Sequence, residues 1–380
     1  MDRGAAKSDK ILFVPEMKVE GVTSERSPKL FEMLSRRYTV VGIPKSEINH
    51  IVYDQGLSKP IRYLLFPWDE WVTFWRTLRA LREERHALVF AEGSYFSLAS
   101  GLAAKLRRAP MIWDNHGHIV TFAQVQGKSS FFTRSNLLFE KVLERLSTKI
   151  LVVNQKDKED YVGIGFPAAK LEVLPTCADM EIASARTYPK SEARRRLGIA
   201  EGERIVLFVG TLRYDPNMDA ARYIALELSE AVRRDNPAVR FYIAGSGSID
   251  FQHPEGTVFL GFVEDVYLWL SAADVSIAPI WKGLGILTKV IEALSAGKPT
   301  IVTPLALEGI PELEHGVNCL VGKDRGDFAD QLLHLLHDEA LQGKMGAEGQ
   351  RLIERRYSCT VIADLLEIIL RKAREEADEN

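Results

Sequence analysis

Residues 278–303, APIWKGLGILTKVIEALSAGKPTIVT, place glycines, a lysine and a glutamate at spacings that suit a phosphorylated ligand. Their order predicts a strand, a loop that contains Gly283 and Gly285, and a helix that begins near Ile286. The first turn of such a helix offers unpaired backbone N–H groups and the positive end of the helix dipole. Lys289 adds a cation at the same point, so the segment predicts an anion site.

Glu292 follows Lys289 by three residues, on the same face of the predicted helix and one turn deeper. Its carboxylate could accept hydrogen bonds from a ribose diol, and a diphosphate beside a ribose indicates a nucleotide. A second interpretation needs no ligand, because the glycines can form an ordinary turn and Lys289 and Glu292 a solvated ion pair. The spacing alone leaves both interpretations open.

Other common chemistries are disfavoured by the motifs that follow the predicted strands. The first strand runs into PEMKVEGVTSE, in which Gly21 is the single glycine, so a nicotinamide-type GxGxxG site is disfavoured. The AGSGS segment at 244–248 is a lone GxG, and the chain has no GxxxxGK[ST], no Asp-x-Asp and no HExxH motif. We therefore expect a mechanism without a metal ion.

The cysteines and the hydropathy suggest a compartment. Cys177, Cys319 and Cys359 are odd in number and far apart in the sequence. This pattern predicts neither a disulfide nor a CxxC metal site, and it favours a reducing environment. No apolar run approaches the roughly 18 residues that would cross a bilayer, so a cytoplasmic protein is expected.

The elements that would position these residues alternate along nearly the whole chain of 380 residues. Apolar runs of strand length are separated by amphipathic helical stretches, which is typical of parallel βαβ units. With 46% hydrophobic and 27% charged residues, the chain is long enough for two folded α/β domains, each a doubly wound sheet. The predicted strands are Ile11–Val14, Thr39–Ile43, Ala87–Phe90, Met111–Asp114, Lys149–Val153, Ile205–Val209, Phe241–Ala244, Val258–Leu260, Val275–Ile277 and Pro299–Val302.

A polar stretch at 183–190, ASARTYPK, separates the two runs of elements and is interpreted as a linker. The predicted domains are therefore residues 1–185 and 186–360. An amphipathic helix and a charged tail with no obvious core follow at 361–380, and we expect this helix to pack back on the first domain. The first half of the chain has a positive net charge and the second half a negative one, which suits association of the domains or an acidic partner.

Five segments, in this order, resemble the motifs of one family. They are VLPTCAD (173–179), VLFVGTLRYDPNMDA (206–220), FYIAGSGS (241–248), VFLGFVEDVYLWLSAADVSIAPI (258–280) and GLGILTKVIEALSAGKPTIVT (283–303). They are similar to motifs of the retaining, nucleotide-sugar-dependent glycosyltransferases of family four, in the variant common in surface polysaccharide assembly. The resemblance implies the GT-B fold, in which two doubly wound Rossmann-like domains face each other across a cleft.

The resemblance also implies roles in the second domain, where the nucleotide-sugar donor would bind. Glu292 matches a glutamate that binds the donor ribose. Leu287 and Thr288, just after Gly285, fall at a helix start whose backbone amides hold the diphosphate. Val263 matches a loop position next to the nucleotide base.

Two residues of the first domain match family positions near the transferred sugar. His116, in the segment WDNHGH, matches a histidine close to the hydroxyls of that sugar. Gly21 lies where the family keeps a glycine pair close to the sugar and the acceptor. For His116 the alternative is a purely structural histidine after a strand, although the loop lies on the ligand-binding edge of the sheet.

The sequence departs from the family's pattern at three charged positions. Leu284 stands where a first motif glutamate would contact the donor sugar, and Thr211 replaces an arginine that binds the diphosphate. The matching lysine is absent, since its position falls on residues 216–217. We expect Arg213 and Lys289 to supply the missing positive charge, because a leaving diphosphate needs cations as its charge develops.

The reaction implied is transfer of a hexose from a UDP- or GDP-linked donor to a saccharide or lipid-linked acceptor, with retention and without any cofactor. A phosphate oxygen of the leaving nucleotide would accept the proton of the acceptor. One alternative is an epimerase of the same fold, which needs a carboxylate-rich cleft that is not seen. The other is a catalytically degenerate nucleotide-binding or scaffold subunit, which Leu284 and Thr211 favour. Glu16 and Glu92, both near strand ends, are interpreted as polar rim residues.

Residues 63–86 form a predicted helix that is both aromatic and basic. Such a helix can lie on an anionic membrane surface and reach a lipid-linked acceptor at the inner face of the membrane. The alternative is a helix whose aromatic face is buried and whose arginine face is solvated. No nucleic-acid partner is expected. The residues concerned are Trp68, Trp71, Phe74, Trp75, Arg76, Arg79, Arg82 and Arg85.

Overall fold

The computed structural model describes residues 10–15, 26–43, 59–84, 87–93, 97–115, 117, 120, 123, 127, 129–200, 202–283 and 285–379, without the side chains of 59–67 and 69. Gly21, His116 and Leu284 lie outside the described residues, as does Glu16. The chain divides into two compact units. The first comprises Met1–Pro175 and Ile362–Asn380, and the second comprises Thr176–Val361.

The first unit contains a parallel six-stranded sheet in the order β2-β1-β3-β4-β5-β6. Its strands are β1 Lys10–Val14, β2 Thr39–Gly42, β3 Leu88–Glu92, β4 Met111–Asp114, β5 Lys149–Val152 and β6 Leu171–Val173. Leu12, Val89 and Ile150 in the inner strands are fully buried. Burial on both faces explains why the inner strands are continuous apolar runs rather than alternating ones.

Helices connect these strands and begin at side chains that cap them. Ser129 accepts a hydrogen bond from the amide of Phe132, and Asn154 accepts one from the amide of Asp157. The helices described in this part of the chain are α1 Arg26–Ser35, α2 Lys59–Glu83, α3 Ser97–Arg107, α4 Ser130–Leu146 and α5 Gln155–Gly163, with a 3₁₀ turn at Ala168–Lys170.

The second unit repeats the architecture with a parallel sheet in the order β12-β11-β10-β7-β8-β9. Its strands are β7 Arg204–Val209, β8 Val239–Ala244, β9 Thr257–Gly261, β10 Val275–Ala278, β11 Thr300–Val302 and β12 Leu320–Val321. Its helices are α6 Met180–Arg186, α7 Lys190–Leu197, α8 Asp215–Tyr223, α9 Ser229–Asp235, α10 Val266–Ala272, α11 Thr288–Ser295, α12 Leu305–Gly309, α13 Arg325–His337 and α14 Glu339–Leu352, and short π-helical segments occur at Ile224–Leu228 and Ile353–Tyr357.

Every strand predicted from the sequence is present, with ends that differ by at most two residues. The strands β6 and β12 were not predicted. Each is the last strand at one edge of its sheet, and they contain three and two residues. A segment this short shows no hydropathy period, so only its neighbours identify it as a strand.

Two predictions about the chain segments at the domain ends are wrong. The polar stretch 183–190 is not an extended linker, because Asp179 caps α6 through the amides of Glu181 and Ile182 and the helix continues to Arg186. The units divide earlier, between Pro175 and Thr176. The C-terminal helix Cys359–Asp378 belongs to the first unit from Ile362 onward, and it buries Ala373 completely.

Ion pairs fix this C-terminal helix within the first unit. Arg37 bonds to Asp364 and, at 2.6 Å, to Glu367. Lys372 lies 3.3 Å from Glu172, and the largely buried Lys149 pairs with Glu376. Charged side chains of this helix, which the sequence suggests are solvated, therefore form ion pairs with residues that are remote along the chain.

The prediction of three free cysteines is also wrong. Cys177 and Cys359 form a disulfide, and Cys319 is a buried thiol. The two bonded cysteines are 182 residues apart in the sequence. Residues so far apart in the sequence give no local sign that they are in contact. Each of the two cysteines lies within three residues of a point where the chain passes from one unit to the other.

Candidate functional site

The loops after β7 and β8 lie in direct contact at the carboxyl edge of the second sheet. A Cβ atom at Gly245 would lie 1.9 Å from the carbonyl oxygen of Gly210, so residue 245 has to be glycine. The amide of Leu212 donates to the carbonyl of Ser246 at 2.7 Å, and the hydroxyl of Thr211 lies 3.1 Å from that of Ser246. The AGSGS segment is thus more than an ordinary turn, because it packs against the loop after β7 and is hydrogen-bonded to it.

Helix α11 follows the glycine loop as the sequence predicts, and it begins at Thr288, two residues after the expected Ile286. Leu287 occupies the N-cap position, and no side chain caps this end of the helix. The amide of Val290 in the first turn donates to the carbonyl of Leu287 at 2.9 Å, whereas the amides of Thr288 and Lys289 before it have no acceptor within the helix. Val290 and Leu294 are buried on the opposite face and anchor the helix in the core.

Lys289 extends from α11 to α8. Its Nζ donates to Asn217 Oδ1 and lies 4.9 Å from the centre of the Phe208 ring. The amide nitrogen of Asn217 donates in turn to the carbonyl of Thr211 at 2.8 Å. The lysine is therefore not half of a solvated ion pair, since it is one end of a chain of hydrogen bonds that joins α11, α8 and the loop after β7.

Burial lowers the pKa of Lys289 to about 7, while the nearby charge of Glu292 acts to raise it. With a pKa near neutral pH, the protonated form of this lysine would be favoured by an anion bound close to it. Glu292 is half-buried on the same helix, one turn further on.

The loop that precedes α11 packs tightly against α12. Gly285 adopts a left-handed φ of 64°, which glycine tolerates without strain. A Cβ atom at Gly309 would lie 2.7 Å from the carbonyl oxygen of Gly285, so this second glycine allows the close approach. The position of the first-turn amides thus depends on two glycines that are 24 positions apart.

Two further predicted residues lie at the same edge. Arg213 is exposed at the end of the loop after β7, and no ion pair holds it within the described chain. Val263 follows β9 and packs half-buried against the core. Its neighbour Phe262, which the sequence analysis did not single out, has 76% of its surface exposed. Hydrogen bonds link Thr211 to Asn217 and Asn217 to Lys289. Val263 follows β9, which is two strands away from β7 in the sheet.

The carboxyl edge of the first sheet holds a buried ion pair that the sequence analysis missed. Arg26, at the start of α1, donates to Asp114 at 2.9 and 2.8 Å and to the carbonyl of Leu174 at 3.0 Å. Beside it Ser27 donates to Glu92, which is fully buried. The prediction that Glu92 is a rim residue is therefore wrong, because the carboxylate is turned into the protein.

A second buried network holds the residues around position 116. Asn115 donates to the hydroxyl of Tyr161 at 2.6 Å, which donates to Glu140 at 3.1 Å. Asn115 also accepts a bond from the amide of Gly117 at 3.4 Å. Burial raises the pKa of Glu140 to about 8. The residues that flank His116 are thereby fixed, while His116 itself lies outside the described chain.

The aromatic side chains of α2 are exposed. Trp68, Trp71 and Trp75 have 53%, 55% and 44% of their surfaces exposed, whereas Thr77 and Leu81 are buried. The interpretation of the aromatic face as buried is therefore wrong for these tryptophans. The neighbouring helix α3 adds the exposed apolar side chains Leu102 and Leu106 and the exposed cations Lys105, Arg107 and Arg108.

Two negative findings apply to the part of the chain that the structure describes. It contains no group of three or more His, Cys, Asp or Glu side chains that could hold a metal ion. It also contains no helix that is long and apolar enough to cross a bilayer.

Two protein-family profiles match the chain. Glycosyltransferase Family 4 matches residues 25–182, and Glycosyl transferases group 1 matches residues 203–338. An uncharacterized glycosyltransferase of Methanocaldococcus jannaschii is 29% identical over 199 residues, which is 46% of this chain and about half (48%) of that relative. A GDP-mannose-dependent monoacylated alpha-(1-6)-phosphatidylinositol monomannoside mannosyltransferase of Corynebacterium glutamicum is 23% identical over 304 residues, 74% of this chain and 75% of that protein.

Solved structures share the fold over almost the whole chain. Anabaena HepE in complex with UDP superposes with a TM-score of 0.73 at 16% identity, over 96% of this chain and 100% of that one. Sucrose-phosphate synthase of Thermosynechococcus elongatus superposes with a TM-score of 0.71 at 16% identity, over 96% and 98% of the two chains. These similarities show the GT-B fold.

Proposed function

The chain belongs to the group 1 glycosyltransferases with the GT-B fold, and from this we propose that it transfers a sugar from a nucleotide-sugar donor to a saccharide or lipid-linked acceptor. The observation that carries the proposal is the contact between Lys289 and Asn217 beside the uncapped start of α11. It brings a cation and free amides to one point at the ligand-binding edge of the sheet.

This contact explains how the chain could bind a diphosphate without the lysine of the family pattern. That lysine would stand on α8, where the chain has Asn217, yet the ammonium group of Lys289 reaches the same place from α11. We propose that Lys289 binds the donor diphosphate in its stead. Arg213, exposed on the adjoining loop, supplies a second positive charge, while Thr211 is uncharged and bonds to Ser246.

We propose the remaining donor contacts from the family resemblance, which the position of these residues at the same edge supports. The amides at Leu287 and Thr288, behind the Gly285 loop, bind the diphosphate, and Glu292 binds the ribose. Val263 lies beside the base. The relatives support a UDP- or GDP-linked donor, since HepE was solved with UDP and the Corynebacterium enzyme is named as GDP-mannose-dependent.

We propose a transfer that retains the anomeric configuration and uses no metal ion. The bond between sugar and phosphate breaks while Lys289, Arg213 and the α11 amides stabilise the leaving diphosphate. The acceptor hydroxyl attacks from the same face, and a phosphate oxygen takes its proton. His116 and Gly21 contact the transferred sugar in this proposal.

We propose further that the acceptor is reached at an anionic membrane surface, through the exposed apolar and basic side chains of α2 and α3. Tryptophans favour the membrane interface, and the neighbouring cations favour anionic headgroups. Replacing Trp68, Trp71 and Trp75 by serine should remove binding to phosphatidylglycerol vesicles in flotation. Phe262→Ser, which removes an exposed aromatic ring from the other unit, should leave binding intact. Equal flotation of both variants would refute the membrane contact.

The donor site is tested by thermal shift and calorimetry with UDP, GDP, ADP and their sugar conjugates, because a ligand that binds only the folded state raises its stability. We expect a shift with one base. Lys289→Ala should weaken binding by at least about 20-fold, or roughly 1.8 kcal/mol. Lys282→Ala is the matched control, since it removes the same charge from an exposed position in the preceding loop.

The catalytically degenerate subunit is the second candidate, and it is favoured by Leu284 and Thr211. It predicts nucleotide binding that depends on Lys289 but no sugar transfer to any acceptor. A nucleotide that shifts the protein equally with and without Lys289 would contradict both candidates, because both place the diphosphate at this lysine.

A further inference from the structure

The hydroxyl groups of Thr211 and Ser246 form a pair at the carboxyl edge of the second sheet. Thr211 lies two residues beyond β7 and Ser246 two residues beyond β8, and their side-chain oxygens are 3.1 Å apart. Among the described residues, Thr211 is the single hydrogen-bond partner of the Ser246 hydroxyl. Both residues are half-buried. The pair is therefore partly exposed at the edge where open parallel sheets bind their ligands.

Two glycines fix the position of Ser246. A Cβ atom at Gly245 would collide with the carbonyl oxygen of Gly210, and one at Gly247 would lie 2.9 Å from the Cβ atom of Leu212. Gly247 has a φ of 129°, in the region that favours glycine. The amide of Leu212 donates to the carbonyl of Ser246 at 2.7 Å. The backbone of the serine is thus held against the loop after β7 before any ligand binds.

The hydrogens of the two hydroxyls can be arranged so that Ser246 keeps one for a ligand. Each hydroxyl has one hydrogen to donate and can accept two bonds. Thr211 can donate to the carbonyl of Ser246, at 3.2 Å, or to its hydroxyl. In the second arrangement the carbonyl still accepts the amide of Leu212, and the hydroxyl hydrogen of Ser246 is not used within the protein. A hydroxyl that accepts a hydrogen bond is also a stronger donor, so Thr211 strengthens the bond that Ser246 can give.

A chain of hydrogen bonds connects this pair to the cation of the candidate donor site. The carbonyl of Thr211 accepts from the side-chain amide of Asn217 at 2.8 Å, and Asn217 accepts from Lys289. Thr211 is therefore two hydrogen bonds away from the ammonium group and in direct contact with the hydroxyl of Ser246. The cation and the hydroxyl pair belong to one connected group of polar side chains.

The chemistry of this connected group suits an oxyanion. The hydrogen bonds from Lys289 to Ser246 involve no carboxylate. Donors are present at both ends of the group, since the ammonium group and the amides of Thr288 and Lys289 lie at one end and the Ser246 hydroxyl at the other. Hydrogen bonds to a charged oxygen are stronger than those to a neutral one, so such donors favour a phosphate over a sugar hydroxyl.

We propose that Ser246, oriented by Thr211, is a donor-binding residue whose hydroxyl donates a hydrogen bond to the diphosphate of the nucleotide sugar. Thr211 is a positioning residue, since it acts through Ser246. This contact rests on the proposed function, and it adds a neutral hydrogen-bond donor to the cations Lys289 and Arg213. Its contribution depends on the phosphates and not on the base or the ribose.

The contact is tested with three probes, which are the nucleoside diphosphate that binds (UDP or GDP), its nucleoside, and inorganic pyrophosphate. Ser246→Ala removes a hydrogen bond to a charged group, so both diphosphates should bind at least about fivefold more weakly in calorimetry. Nucleoside binding, followed by saturation-transfer NMR, should change less than about twofold. Ser248→Ala is the matched control, because it removes an exposed hydroxyl from the same loop. Equal weakening of all three probes by Ser246→Ala would indicate a structural role and overturn the contact.

The role of Thr211 is tested by a double-mutant cycle. Thr211→Val removes the hydroxyl and should weaken diphosphate binding about threefold, whereas Thr211→Ser keeps the hydroxyl and should change it little. When Ser246→Ala is already present, Thr211→Val should cause no further loss, because no hydroxyl remains to be oriented. Additive losses would contradict a positioning role for Thr211.

Failure of this contact and failure of the proposed function give different results. Diphosphate binding that is weakened by Lys289→Ala but not by Ser246→Ala would overturn the contact and leave the proposed donor site in place. If neither UDP nor GDP binds, the proposed donor site fails, and pyrophosphate then decides. A thermal shift with pyrophosphate that Ser246→Ala reduces would support the phosphate contact. No shift, or a shift that Ser246→Ala leaves unchanged, would overturn it.

Discussion

Each sheet has a helix start at its carboxyl edge that carries a cation, but the two cations have different partners. Arg26 donates two hydrogen bonds to Asp114 and a third to the carbonyl of Leu174. Lys289 donates to the neutral amide of Asn217. A carboxylate neutralises the charge of Arg26 inside the protein, whereas the amide of Asn217 holds Lys289 by a hydrogen bond and carries no charge.

We infer that the partner of a cation, rather than its position at the carboxyl edge of the sheet, separates a structural group from a proposed binding group. Arg26 is buried and satisfied, so removal of its partner is costly to folding. Lys289 is held in place without being neutralised, and burial lowers its pKa to about 7. The same edge of the same architecture therefore serves stability in one unit and, in the proposed function, recognition in the other.

The largest expected effect comes from breaking the structural pair. Asp114→Ala removes the carboxylate that accepts two hydrogen bonds from the buried Arg26 guanidinium, which should lower the free energy of unfolding by about 3–5 kcal/mol. Urea unfolding measures it. Replacing both residues by apolar ones of similar size, Arg26→Met with Asp114→Leu, should recover much of the loss. A single variant within about 1 kcal/mol of the original chain would contradict a structural role for the pair.

A smaller effect, on nucleotide affinity, is expected when Lys289 is given a carboxylate partner like that of Arg26. Asn217→Asp places a carboxylate on the ammonium group, which should weaken nucleotide binding about tenfold, or roughly 1.4 kcal/mol, without loss of folding stability. Calorimetry measures the affinity. Asn236→Asp adds the same charge before the amino end of β8, away from the site, and should change little. Tighter binding by Asn217→Asp would contradict a role for Lys289 at the diphosphate.

The smallest expected effect is on pH dependence, and it follows from the lowered pKa of Lys289. A bound diphosphate favours the charged lysine and raises its pKa, so binding takes up a proton when the pH lies above about 7. Affinity for a nucleotide sugar should therefore fall about fivefold between pH 7 and 8.5 and change little below pH 6.5. Lys289→Arg stays charged throughout and should give a flat profile. A flat profile for the original chain would show that Lys289 does not titrate in this range.

Much of the fold was predictable because its signal is local. Each of the strands around Leu12, Val89 and Phe208 is a mostly apolar run of five or six consecutive residues, and segments with helical periodicity lie between the predicted strands. The start of α11 was predicted to within two residues from the glycines that precede it. Which face of an element is buried depends on the hydropathy of neighbouring residues, and this information is present in the local sequence.

Local sequence patterns therefore define two doubly wound domains and a helix start that follows a glycine loop, since these depend on patterns within about 30 residues. The tertiary structure alone decided which polar groups meet. Lys289 and Asn217 are 72 positions apart, Arg26 and Asp114 are 88 apart, and the bonded cysteines are 182 apart. The physical reason is that hydrophobic burial requires only an apolar surface to pack against, whereas a hydrogen bond, an ion pair or a disulfide requires one particular partner at a fixed distance and angle.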